Sequence, residues 1–101
     1  LANVARVIDE ALAQVPGGLD AIDGIAVTRG PGLLGALLVG LSAGKAIAWS
    51  RDLPIVYVDH LVAHLLAVYL RRGDEERALP EMPFVALLAS GGHTALYEVR
   101  S

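Results

Sequence analysis

The chain has 101 residues and a formal net charge of -3, enough for one small domain but without an overall attraction for nucleic acid. Hydrophobic residues make up 54% of it and charged residues 19%, a balance that excludes an intrinsically disordered chain. There is no cysteine, which excludes disulfides and thiolate metal sites.

Helical and extended patterns alternate through the first half of the chain. Ile22–Thr28 has the pattern of a buried strand, Arg29–Gly32 that of a loop, and Leu33–Ser50 that of a long buried helix. Apolar residues at helical spacing predict an earlier helix, which ends before the Pro16–Gly18 turn; these residues are Val4, Val7, Ile8, Ala11 and Leu12.

The second half continues the alternation. Pro54–Val58 has the pattern of a short strand, and His60–Leu70 that of a third helix. Arg71–Arg77 is a charged segment, which predicts a solvated loop. Phe84–Ser90 predicts another buried strand, which Thr94–Val99 pairs with as a hairpin. The whole order predicts an α/β fold with helices on both faces of a sheet.

Two of the three histidines, His60 and His64, lie four residues apart in the predicted third helix. Positions four apart share one helix face, with Cβ atoms about 5–6 Å apart, so two imidazoles there can bind one metal ion. Alternatively, both pack or form hydrogen bonds near a helix start that Asp59 caps. A protease motif of the HExxH type does not fit, because Leu61 stands where that chemistry needs a glutamate.

Two glycine-rich segments are candidates for anion binding. Ser90–Thr94 (SGGHT) places two glycines where N–H groups can contact a phosphate; the alternative is a type I′ hairpin turn. Arg29–Gly35 (RGPGLLG) precedes a helix, the usual setting for anion binding; the alternative is a tight turn that permits close helix packing. Lys45 either contacts a phosphate or an acidic partner, or extends its ammonium group to water.

Three segments in this order resemble the tRNA threonylcarbamoyladenosine synthases, bacterial threonylcarbamoyl transferases formerly named glycoproteases or O-sialoglycoprotein endopeptidases. The segments are TRGPGLLGALLVGLSAGKAIAW, LPIVYVDHLVAHLL and FVALLASGGHT. The resemblance covers nearly the whole chain. It departs from the family pattern at Val62 and Ala63, since the family often has Glu and Gly between the two histidines.

The resemblance implies an internal fragment of an actin-like ATPase (ribonuclease H-like) fold, with a sheet flanked by helices and a β-hairpin. Residues 1–82 would form the later part of the first lobe, and residues 83–101 the opening hairpin of the second. By the same resemblance, His60 and His64 bind one divalent metal ion, with iron favoured over zinc and an aspartate ligand outside this chain. The implied substrate-binding residues are Leu88, Ala89, Ser90, Gly91 and Gly92.

The implied reaction transfers a threonylcarbamoyl group from threonylcarbamoyl-AMP to N6 of the adenosine adjacent to the tRNA anticodon, in the cytoplasm. The implied partners are tRNA, a synthase that supplies the adenylate, a paralogous scaffold subunit and a small ATPase subunit. The apolar run from Leu33 to Ala43 is too short to cross a bilayer, so no membrane association is expected.

An isolated fragment should be inactive, because most of the nucleotide site is absent. Its open sheet edges and apolar face predict self-association, for example by exchange of the Phe84–Val99 hairpin.

Two other functions compete with this one. A non-catalytic scaffold paralogue of the same superfamily would usually lack the metal histidines, so His60 and His64 argue against it. A metalloprotease, which the former family name suggests, would need the glutamate that Leu61 replaces. No residue is assigned as the general base.

Overall fold

The computed structural model of the chain describes residues 2–71, 73, 76, 78–92 and 94–100. They form a mixed α/β structure with two compact units, Leu1–His60 and Leu61–Ser101. In chain order the elements are α1 (Ala2–Leu12), β1 (Ile25–Gly30), α2 (Leu34–Arg51), β2 (Ile55–Asp59), α3 (His60–Leu66), β3 (Phe84–Ala89) and β4 (Thr94–Val99). Short 3₁₀ helices span Gly18–Ala21 and Ala67–Tyr69.

The alternation of helices and strands predicted from the sequence is therefore confirmed. The predicted boundary between two lobes at residues 82 and 83 concerns a longer fold and stays a prediction. So does the placement of helices on both faces of the sheet.

In the first unit, α2 packs on a two-stranded parallel sheet. β1 pairs with β2 so that Ile25 lies opposite Ile55 and Val27 opposite Tyr57. α2 contacts β1 most extensively, and α1 contacts α2. Among the residues the structure describes, only two hydrophobic side chains are buried, those of Val27 and Ala48. The core of this unit is thus a narrow contact between α2 and β1.

The boundaries of α2 follow the predicted helix within one residue. Leu33 precedes the helix in an extended conformation, and Asp52 ends it with a φ of 53°. Asp tolerates this left-handed conformation better than most residues. The backbone N–H of Leu53 then donates to the carbonyl of Ala48 at 2.8 Å, which satisfies a carbonyl of the last turn.

The predicted bounds of the first strand are wrong at both ends. β1 begins at Ile25 instead of Ile22, and it continues through Arg29 and Gly30, which the sequence pattern assigned to a loop. The physical reason lies in the pairing with β2, which extends beyond an irregularity after Thr28. The local sequence does not show which residues pair across two strands.

In the second unit, β3 and β4 form the predicted antiparallel hairpin, from Phe84 opposite Val99 to Ala89 opposite Thr94. The prediction that Phe84–Ser90 is buried is wrong. Alternate residues of both strands are exposed, and among them are Val85, Leu87 and Leu96. A two-stranded sheet has nothing to cover its second face, so only one row of side chains is partly buried.

Tyr69, which follows α3, contacts two residues near the start of β3. Tyr69 donates a hydrogen bond from its hydroxyl to the carbonyl of Pro80 at 3.0 Å, and its ring contacts the ring of Phe84 edge to face, with the ring centroids 6.3 Å apart.

The predicted third helix is too long, because α3 ends at Leu66 and tightens into the 3₁₀ turn. Much of the predicted charged loop lies outside the described residues, namely Arg72, Asp74, Glu75 and Arg77.

In the part of the chain that the structure describes, no helix has the length and apolar character needed to cross a membrane.

Candidate functional site

The carboxyl ends of β1 and β2 bring two of the sequence motifs together. Because the strands are parallel, both end at the same edge of the sheet, where ligands of open α/β sheets usually bind. Gly30 of the RGPG segment lies opposite Asp59, and His60 follows directly as the first residue of α3. The sequence placed these motifs 30 residues apart; the strand pairing makes them neighbours.

The two candidate metal ligands lie on α3. His60 begins the helix, His64 lies one turn later, and both side chains are exposed. Asp59, the predicted helix cap, is the last residue of β2 and is half-buried. Within residues 2–71, 73, 76, 78–92 and 94–100, no group of three or more His, Cys, Asp or Glu side chains could hold a metal ion. These residues therefore do not contain a complete metal site by themselves.

The candidate substrate segment lies at the end of β3 and in the loop after it. Leu88 is half-buried, whereas Ala89, Ser90, Gly91 and Gly92 are exposed. Since Ala89 pairs with Thr94, the connection consists of residues 90–93. That length excludes the two-residue type I′ turn considered above.

Neither conformation nor packing within the described chain requires Gly91 and Gly92 to be glycine. Neither residue has a φ in the left-handed region, and a Cβ added to either would meet nothing within 4 Å. A glycine with open space around it is suited to close approach of a ligand to its backbone.

The RGPG segment has a structural reason for one of its glycines. Gly30 has a φ of 152°, which L side chains rarely adopt, whereas a Cβ on Gly32 would make only an ordinary van der Waals contact with Leu37 at 3.5 Å. The φ of Gly30 supports the tight-turn interpretation of the segment.

Lys45 does not lie in the core. Its exposed side chain places the ammonium nitrogen 5.8 Å from the ring centroid of Tyr57 on β2. A cation in that position is stabilised by the electron-rich face of the ring. The structure thus agrees with an ammonium group that extends to solvent.

An open cavity of about 460 Å³ lies in the first unit between α1, β1 and α2. Its lining is almost entirely aliphatic and includes Val4, Ile8, Leu37 and Ile47. Without charged side chains in the lining, the cavity offers hydrophobic contact but no acid, base or metal ligand.

Sequence reasoning did not place the RGPG segment beside Asp59. The available signal was the order strand, helix, strand, which is typical of parallel pairing and predicts that the carboxyl ends of both strands meet.

Residues 1–101 match the family model described as TsaD, tRNA N6-adenosine threonylcarbamoyltransferase. A curated protein of that name from Sorangium cellulosum is 58% identical over 100 residues, which cover 95% of this chain and 28% of the relative. The protein of that name from Geobacter sp. strain M21 is 54% identical over 98% of this chain and 27% of its own length. A third, from Geotalea daltonii, is 48% identical over the whole chain and 28% of its own length. The chain thus spans little more than a quarter of each relative.

Proposed function

Because the chain belongs to the tRNA N6-adenosine threonylcarbamoyltransferase family, we propose that the longer protein containing it modifies tRNA. The proposed reaction transfers the threonylcarbamoyl group of threonylcarbamoyl-AMP to N6 of the adenosine next to the anticodon. The observation behind the proposal is the family match across residues 1–101, which includes all three motifs. Residues 1–101 alone are proposed to be inactive, since they span about 28% of the relatives.

His60 and His64 are the proposed ligands, from this chain, of one divalent metal ion, with iron favoured over zinc. Their fit rests on the donors themselves: two exposed imidazoles one turn apart on α3. Two ligands make an incomplete site, so a further ligand comes from outside the described residues. When bound, the metal supplies a Lewis acid for the carbamoyl and phosphate oxygens.

The proposed substrate-binding residues are Leu88, Ala89, Ser90, Gly91 and Gly92. The open space around Gly91 and Gly92 supports this assignment, because backbone N–H groups there are accessible to a phosphoryl oxygen. Their role is to bind and orient threonylcarbamoyl-AMP. The chain's own contribution to the reaction is thus positioning and charge stabilisation.

The rest of the proposal follows from family membership. The longer protein has an actin-like fold in which residues 1–82 complete the first lobe and residues 83–101 open the second. It works in the cytoplasm with tRNA, an adenylate-forming synthase, a paralogous scaffold subunit and a small ATPase subunit. The isolated fragment self-associates through its exposed apolar side chains, which include Leu87 and Leu96.

The test is replacement of both His60 and His64 by Ala in the longer protein. We expect metal content to fall by about one ion per chain and threonylcarbamoyladenosine in tRNA to be lost, because half or more of the ligands are removed. Elemental analysis measures the metal, and mass spectrometry of digested tRNA measures the modified nucleoside.

The matched control is Val62→Ala, which alters the same helix and keeps both imidazoles. It should retain metal and activity. If the double histidine variant still modified tRNA at the wild-type level, the chain would be a scaffold and the proposed function would be wrong.

A further inference from the structure

The Lys and Arg side chains of the first unit differ in whether they have a partner. There are four in residues 2–60. Arg6 and Arg51 form ion pairs with carboxylates, and Lys45 lies over an aromatic ring. Arg29 is exposed, and no residue that the structure describes forms a hydrogen bond or ion pair with its side chain. The described residues therefore leave its guanidinium without an anionic partner.

A local irregularity of the backbone coincides with Arg29. The register of the β1–β2 ladder shifts between Thr28 and Gly30, so Arg29 is the extra residue of a β-bulge. Gly30, directly after it, has a φ of 152°. Bulges re-aim a side chain relative to the regular alternation of a strand, and they are over-represented next to active sites.

The bulge also lies next to the end of β2. Gly30 is opposite Asp59, and His60 follows Asp59 in the chain. Arg29 is thus a cation without a described partner near the carboxyl end of β1, one residue before the glycine that lies opposite Asp59. An arginine that only extends its side chain into solvent could lie on any regular, exposed part of a strand.

We propose that Arg29 binds a backbone phosphate of the tRNA substrate. This inference rests on the proposed function. The guanidinium is planar and always charged, and it presents paired N–H donors that match a phosphodiester. Such contacts position a nucleic acid without reading its sequence.

A phosphodiester of tRNA fits Arg29 better than the phosphate of the small adenylate. Small-molecule sites are concave and bury most of their ligand, whereas Arg29 is exposed. A polyanion that passes over the surface can reach an exposed side chain.

The test uses Arg29→Gln in the longer protein, with Arg6→Gln as the matched control. Both remove one exposed guanidinium, but Arg6 belongs to α1 and pairs with Glu10. We expect Arg29→Gln to raise the Kd for tRNA about five- to tenfold and to reduce the slope of log Kd against log salt by about one unit. The KM for threonylcarbamoyl-AMP should stay within about twofold of wild type. Arg29→Lys should recover part of the affinity, because it restores the charge without the paired donors.

The possible results distinguish the inference about Arg29 from the proposed function. Equal effects of Arg29→Gln and Arg6→Gln on the Kd for tRNA would overturn the inference. A rise in the KM for the adenylate with an unchanged Kd for tRNA would overturn it too, because Arg29 would then contact the small substrate. If the wild-type protein binds tRNA but does not modify it, the proposed function fails whereas the assignment of Arg29 survives.

Discussion

At the scale of single residues, Gly44 sets the distance between α2 and the sheet. A Cβ at this position would lie 2.2 Å from Cγ1 of Val27 and 3.4 Å from Cγ2 of Ile25. Val27 is β-branched and buried, so it cannot rotate away at low cost. The glycine therefore permits a helix–strand approach that any larger residue would prevent.

We expect Gly44→Ala to destabilise the protein by about 1–2 kcal/mol, because the cost of overpacking exceeds the gain in helix propensity. Gly40→Ala is the matched control on the same helix, since a Cβ there meets nothing within 4 Å. It should stabilise the protein by about 0.5–1 kcal/mol. Urea denaturation followed by circular dichroism measures both, and a more stable Gly44→Ala variant would contradict the packing argument.

The residues of the candidate site were predictable to different degrees. His60 and His64 could be found because their relation is local, a spacing of four on one helix. Among the glycines of α2, Gly44 is the one at which an added Cβ would meet the sheet; Gly35 and Gly40 face open space. An almost wholly apolar helix does not indicate which of its faces meets the sheet. The place of Arg29 at a shift of register could not be predicted, because that shift depends on the pairing of two strands.

At the scale of elements, the loop of the β3–β4 hairpin contains two glycines, Gly91 and Gly92, that no described contact requires. Gly91 and Gly92 have ordinary φ values and open space, so replacement by Ala should change the free energy of unfolding by no more than about 0.5 kcal/mol. The added methyl groups would nevertheless obstruct a ligand that approaches the backbone. We expect the KM for threonylcarbamoyl-AMP to rise at least about tenfold.

Steady-state kinetics of the longer protein and its thermal unfolding test this pair of expectations. Gly40→Ala again serves as the control, because it adds the same methyl group in open space on another element. Loss of stability without a change in KM would mean that the glycines serve the loop and not the substrate.

Element types were predictable from periodicity, but element ends were not. A short apolar run identified β1, and the apolar pattern of a helix identified α3. The end of β1 depends on its pairing with β2, which no local pattern records. α3 tightens into a 3₁₀ turn after Leu66, which the apolar pattern of residues 60–70 does not predict.

At the scale of the whole molecule, the described residues expose an unusual amount of apolar side chain. Val27 and Ala48 are the buried hydrophobic residues among them, whereas Leu87 and Leu96, paired across the hairpin, are 66% and 71% exposed. Large exposed apolar patches mark interaction sites or aggregation hazards. We propose that further residues of a longer protein cover these side chains, since the match covers 28% of the length of the Sorangium cellulosum relative.

We therefore expect the isolated chain to self-associate and Leu87→Lys to weaken that association, because a charge on the exposed hairpin face opposes apolar contact. Sedimentation velocity over a range of concentrations measures the effect. Gln14→Lys adds the same charge at an exposed position after α1 and should leave association unchanged. A wild-type chain that stays monomeric at the highest concentration would refute this expectation.

The chain has a single tryptophan, and Trp49 near the end of α2 is 88% exposed. Its indole is already hydrated in the folded state, so unfolding changes its surroundings little, whereas contact with another surface removes water from the ring. The intrinsic fluorescence of this chain is consequently an indicator of partner contact at the end of α2 and a poor indicator of folding. A blue shift on adding a partner would locate that partner without any label.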